Sequence, residues 1–385
     1  MPYLAPTIHE ASAVWLGNGS LCDAWVIAMK NGSNILIIRL SAIGDVVFAS
    51  PVIAALKRSF PESRVGWLVE PAAAPLLKHN PDLDEVIIWP KSEWKRLWEK
   101  KRFSALWQEV RRFRLELQKG RYDTVLDLQG LLKSGILAWL SGAHERIGLG
   151  SREGSKWLMS RVIKRAGDPD RIGSEYLFLG QQLGLSTGKF EMQLVLGESE
   201  ERSVSQLLET EGVASGYLVV CPFTTRPQKH WFEARWSALI ARLNKEFGLP
   251  LVMLGGPGDR EASARICSAS GEGVVNLTGR TDLAEAAALI RQAQLLVGVD
   301  TGLTHMGIAF STPTIALFGS TCPYLKTTRD NALVLYHKLN CSPCRRSPTC
   351  QGRFDCMAAI SVEEVADAAK QIIPSEGADR SAGEV

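Results

Sequence analysis

The chain has 385 residues, 45% hydrophobic and 22% charged, with a formal net charge of +3. That length suits two domains, and that charge is too small to make the whole molecule a nucleic-acid binder. No apolar run reaches the ~20 residues that a helix needs to cross a bilayer. Residues 1–33 contain WVIAMK but no basic start followed by a long apolar run, which argues against a signal peptide. They are expected to form a loosely attached extension. NILIIRL, from Asn34, then predicts a buried strand, SAIGD a turn, and VVFASPVIAAL a helix. Strands RVGWLVE, EVIIWP and TVLDLQG complete the first half. Within it, residues 91–121 hold eleven Lys/Arg and four Asp/Glu, with Trp94, Trp98, Phe103, Trp107 and Phe113 interleaved. Two readings stay open for this segment: a solvated surface helix whose aromatics pack on the domain, or a basic aromatic face for an anionic membrane or acceptor. No nucleic-acid motif accompanies it, so nucleic acid is not an expected partner.

Residues 186–212 are polar and helical, and the strand pattern restarts near 217 with YLVVCPF, LPLVMLGG, GVVNLTG, QLLVGVD and TPTIALFG. Strands alternating with helices predict α/β domains with parallel sheets. The expected organisation is an extension at 1–33, domains at 34–205 and 206–373, and a polar tail at 374–385. Ligands in such sheets sit beyond the carboxyl ends of the strands, here in a cleft between two similar halves.

Three segments at strand ends carry chemistry. SAIGD places Gly44 and Asp45 at a helix start, where Asp45 is either a cap or a reactive carboxylate. TTRPQKHW offers the hydroxyls of Thr224 and Thr225 and the cation of Lys229, a set suited to a diphosphate. VDTGLTH opens a helix through Asp300, Thr301 and Gly302, with His305 one turn in. Asp300 or Thr301 would cap it, Gly302 would let a ligand approach the backbone, and the free N–H groups would bind an anion. Neither the G-x-x-x-x-G-K-[ST] loop nor the G-x-G-x-x-G fingerprint is present, which disfavours an NTPase or a dehydrogenase. Eight cysteines include a compact set, Cys341, Cys344, Cys350 and Cys356. With no export signal, reduced thiols are the default; for the compact set a structural zinc or iron, free thiols and disulfides all stay open.

Together these segments resemble glycosyltransferase family 9, the lipopolysaccharide heptosyltransferases. RLSAIGDVV, TTRPQKHW, GGPGD, GVDTGLTHMGIA and TPTIALFGSTCP carry the resemblance in that order, from about Asn34 to about Ile373. DLQGLLKS and TTRPQKHW look most like the member that adds the first heptose to Kdo. The resemblance implies a GT-B fold of two Rossmann-like domains, ADP-heptose held mostly by the second domain, inversion at the anomeric carbon and no catalytic metal. It also implies a Kdo–lipid A acceptor and a cytoplasmic protein peripheral to the inner membrane. Asp45 would then be the general base on the acceptor side. Thr224, Thr225 and Lys229 would stabilise departing ADP, and Asp300, Thr301, Gly302 and His305 would surround its phosphates. Asp259 and Thr281 match positions near ribose and base, although relatives carry a longer carboxylate at the former. Arg39 and Lys133 would face the acidic acceptor sugar, and Gly44 would permit the turn exposing Asp45. A family 9 transferase for another acceptor (a second core heptose or a protein), and a non-catalytic sugar-nucleotide or lipid-binding scaffold, remain alternatives.

Overall fold

A computed structural model describes residues 29–213, 216–344 and 347–373. The expectations for residues 1–28 and for the tail lie outside these. Residues 29–33 belong to the first domain: Met29 is buried in its core, and Ser33 C=O accepts from Arg64 N–H.

Two six-stranded sheets organise the chain. The first holds β1 (Asn34–Ile38), β2 (Arg64–Val69), β3 (Glu85–Ile88), β4 (Thr124–Asp127), β5 (Glu145–Leu149) and β6 (Arg161–Ile163), in the order β3-β2-β1-β4-β5-β6. The second holds β7 (Leu218–Cys221), β8 (Leu251–Met253), β9 (Val274–Asn276), β10 (Leu295–Val299), β11 (Thr314–Phe318) and β12 (Ala332–Tyr336), in the order β12-β11-β10-β7-β8-β9. Read from the opposite edge, the second order repeats the first, and every pairing is parallel. Helices cover both faces, so the central strands are apolar throughout: β10 is buried at all five positions. Along β1, Ile35 and Ile37 join one core while Leu36 and Ile38 join the other.

In each sheet the strand order reverses between two neighbours, β1 and β4 in the first, β7 and β10 in the second. Such switch points open a crevice at the carboxyl ends. SAIGD follows β1, TTRPQK follows β7 and DTGLTH follows β10, so topology brings all three segments to crevices. The two domains share an apolar cluster in which Val47, Leu76 and Ile172 meet residues of the second half. The helix Glu198–Thr210 runs across the expected boundary at 205/206, and its Val204 and Leu208 lie in this shared cluster. Three strands were not expected. β5 begins with charged Glu145 and Arg146 and β6 has three residues, so neither makes an apolar run; β12, ALVLY, does make one.

Candidate active site

A cleft of about 1130 Å³ lies between the domains. Gly44 and Asp45 line it from the first domain, and Thr224, Thr225, Lys229, Asp259, Thr281, Asp300, Thr301, Gly302 and His305 from the second. Asp45 is the third residue of the helix Ile43–Ala49, and its Oδ2 accepts from the Ala42 N–H at 3.2 Å. The same oxygen pairs with Arg39 Nη2. The carboxylate thus closes the helix start and still faces the cleft, with 40% of its side chain exposed.

Arg39 corrects an expectation. Its guanidinium is buried, bonded to Asp45 and to Leu128 C=O at 2.9 Å, and it is not among the groups lining the cleft. It holds the carboxylate from beneath instead of facing an acceptor. Lys133 is also outside the cleft lining; its Nζ lies 3.2 Å from Glu70 and 5.7 Å over the Trp89 ring, and Lys91 shares both partners. Gly44 needs no unusual backbone. A Cβ there would stand 2.6 Å from His305 Cδ2, and a Cβ on Gly302 would stand 2.7 Å from Ile43 Cγ2. Both glycines therefore serve the close approach of the two domains, and at Gly302 the occupant is Ile43.

Asp300, at the end of β10, organises the opposite wall. Its carboxylate lies 2.6 Å from Lys229 Nζ and 3.3 Å from His305 Nε2, and it accepts from the Thr321 hydroxyl. Burial favours its neutral form, but the hydrogen bond and charge of His305 and the Lys229 ammonium outweigh this and hold the carboxyl well below the usual carboxylate range. Thr301 occupies the cap position of the helix Gly302–Ala309 without a side-chain cap bond. Neither Asp300 nor Thr301 closes that helix start, which leaves N–H groups and the positive dipole end on the cleft. His305 is buried between the domains, with the Phe48 ring tilted against it at 4.6 Å between centroids and the Tyr324 hydroxyl 2.8 Å from Nδ1. Thr224 donates to Asp300 C=O at 3.3 Å, while Asp259 accepts from Gly256 N–H at 2.8 Å and so braces the GGPGD turn.

Sequence reasoning missed Thr321 and Tyr324. The signal was GSTCPY directly after β11, a further strand end on the cleft. Of the readings left open for Cys341, Cys344, Cys350 and Cys356, the described residues show free thiols, with no group of three His, Cys, Asp or Glu placed to hold a metal ion. Cys350 and Cys356 are buried and Cys341 is exposed; burial raises the Cys344 pKa, and the thiols lie near enough that Cys350 and Cys341 raise it too.

The sequence profile of glycosyltransferase family 9 (heptosyltransferase) matches residues 110–354. Lipopolysaccharide heptosyltransferase 1 of Pseudomonas aeruginosa is 31% identical over 323 residues, 82% of this chain and 87% of that protein. Its Escherichia coli K12 counterpart is 29% identical over 76% of this chain and 89% of its own. The solved E. coli heptosyltransferase WaaC with ADP-2-deoxy-2-fluoro heptose aligns at TM-score 0.67 and 26% identity, over 88% of this chain and 99% of that one. A family 9 structure from Veillonella parvula, 21% identical, shares the fold at TM-score 0.74 over 89% of this chain and 97% of its own.

Proposed function

The chain belongs to glycosyltransferase family 9, the heptosyltransferases, and from that membership we propose that it moves a heptose from ADP-heptose to the Kdo region of a lipopolysaccharide inner core, with inversion. The observation that carries this reading is the opposition of two unlike walls across one cleft. A carboxylate, Asp45, stands on the first domain; a lysine and an uncapped helix start stand on the second.

The chemistry follows from that opposition. The acceptor hydroxyl, near Asp45, attacks the anomeric carbon from the face away from the diphosphate. The new C–O bond forms as the bond to the β-phosphate oxygen breaks, and Asp45 Oδ takes the hydroxyl proton. The leaving ADP gains charge on its terminal phosphate. Lys229 and the N–H groups after Thr301 stabilise that charge, and they do so most in the transition state, where it develops. Asp300 keeps Lys229 extended toward the cleft. Asp259 and Thr281, further along the same wall, take the ribose and base. Among the described residues no helix is long and apolar enough to cross a membrane; a lipid-linked acceptor would be met peripherally, at the cytoplasmic face of the inner membrane.

The test is ADP release from ADP-heptose with Kdo-lipid A and, separately, with heptosylated Kdo-lipid A. Turnover only with the first supports the assignment. Turnover only with the second reassigns the acceptor, and none with either removes the reading.

A further inference from the structure

The outer side of the first domain carries an apolar surface that heptosyl transfer does not use. Three elements build it. In the helix Phe103–Lys119, Leu106, Val110, Phe113 and Leu117 recur at helical spacing on the covered side, while Phe103, Trp107, Arg111 and Arg114 form the exposed stripe. In the helix Leu132–Leu140, Leu132, Ile136 and Trp139 also recur at helical spacing, yet all three are exposed. The turn Ser155–Leu158 packs on that helix and presents Trp157, 82% exposed. These pieces are joined. The Trp98 and Phe103 rings meet edge-on at 5.4 Å, the Arg114 guanidinium lies 5.5 Å over Trp139, and Lys156 lies 4.9 Å over Trp157. Seven of the twelve large exposed apolar side chains among the described residues (Trp98, Phe103, Trp107, Leu132, Ile136, Trp139 and Trp157) fall on this surface, so it is a patch and not scatter.

Its charge is one-sided. All four acids of residues 91–121 are matched within their own helices: Glu93 by Arg96, Glu99 by Lys95, Glu109 by Arg112 and Glu116 by Lys119. Lys100, Lys101, Arg102, Arg111 and Arg114 form no salt bridge with a carboxylate among the described residues. The two readings of the segment are thereby divided residue by residue. Trp94 and Phe113 pack inward, edge-on to each other at 5.6 Å, whereas Trp98, Phe103 and Trp107 stay outside.

We propose that this face docks on an anionic lipid bilayer, with Trp98, Trp107, Trp139 and Trp157 at headgroup depth and the unmatched Lys and Arg on lipid phosphates. Indole rings favour that depth because one edge is apolar and the N–H is wet. Cations beside them supply attraction to an anionic leaflet and none to a neutral one. The position suits the chemistry: the helix Leu132–Leu140 starts just after β4, at the sheet edge that also carries Asp45 after β1. A bilayer on this face would present a lipid-linked acceptor beside the base. The proposal deepens the reading above, since it takes the acceptor to be lipid-linked, but not the identity of the sugar.

The test sediments the full chain with vesicles of phosphatidylcholine alone and of phosphatidylglycerol mixed with phosphatidylethanolamine. Binding should be at least about tenfold tighter to the anionic vesicles and should weaken with salt. Trp107→Ser with Trp139→Ser should lower binding at all salt concentrations. Lys100→Glu with Lys101→Glu and Arg102→Glu should lower it mainly at low salt. Calorimetric ADP affinity should be unchanged in both variants, which shows that they fold. Equal binding to both vesicle types, or wild-type binding by both variants, overturns the proposal. So does a dimer that the tryptophan substitutions abolish in a chain that binds no vesicles, for the face is then an interface between two copies. Failure of the transferase reading is distinguishable, because it would show as absent ADP release with vesicle binding intact.

Discussion

The Tyr324 hydroxyl and His305 Nδ1 lie 2.8 Å apart, within hydrogen-bond distance, and both side chains are buried. Asp300 faces Nε2 at 3.3 Å and can only accept there, so Nε2 carries a proton. The ring is thus held at both nitrogens, by Asp300 on one side and by Tyr324 on the other.

Tyr324→Phe should therefore free one side of the His305 ring and weaken ADP binding, since His305 and Asp300 organise one wall of the cleft. Calorimetry should give a lower ADP affinity for the variant than for the native chain. Equal affinities would reduce Tyr324 to packing.

Asp45→Ala should lower transfer by roughly two to four decades while leaving ADP affinity intact, because the base and the nucleotide lie on different domains. Arg39→Met carries the sharper test. A residue that touches acceptor would raise KM for acceptor, whereas one that only positions Asp45 should lower kcat with little change in KM. Steady-state kinetics with acceptor varied separates the two.

For Lys229→Ala the expectation is weaker ADP-heptose binding and slower turnover together, since the ammonium meets the diphosphate before and during its departure. Unchanged ADP affinity by calorimetry with an unchanged rate would remove Lys229 from the site.

Asp300 also sets an acid limit. Its folded carboxyl titrates well below the unfolded value near ~3.9, so its stabilising contribution is fully present above ~4 and is lost as pH falls toward the folded value. Urea midpoints of the native chain and Asp300→Asn should differ by a constant amount from neutral pH down to ~5, then converge in stronger acid. A gap that persists unchanged in strong acid would mean that the ion pair does not carry the effect.

Much of this was legible in the sequence because parallel strands covered on both faces leave long apolar runs, and because reactive groups sit where those runs stop. Asp45, Lys229 and His305 were found that way. What was not legible was who meets whom. Arg39 lies on the same strand end as Asp45, but only the folded turn reveals that they pair. Lys133 and Lys91 converge on Glu70 from separate elements, and Tyr324 reaches His305 from the loop after a neighbouring strand. The aromatics of 91–121 were half legible. Trp94 and Leu97 face inward, but Trp98, four residues after Trp94, shares that face by spacing and is exposed all the same, and nothing local shows that Trp139 and Trp157 extend the same surface.

Gly44 has no room for a methyl group because His305 of the other domain fills it, and Gly302 has none because Ile43 does. The halves of this molecule are for that reason not interchangeable cassettes. A chimera joining residues 34–205 to the second half of a distant relative could fold both sheets and still fail to shut, unless the partner brought a ring and a glycine to matching places. Recombining halves is thus limited at the contact where the two domains meet in the cleft, and alanine at either glycine should reproduce that failure within a single chain.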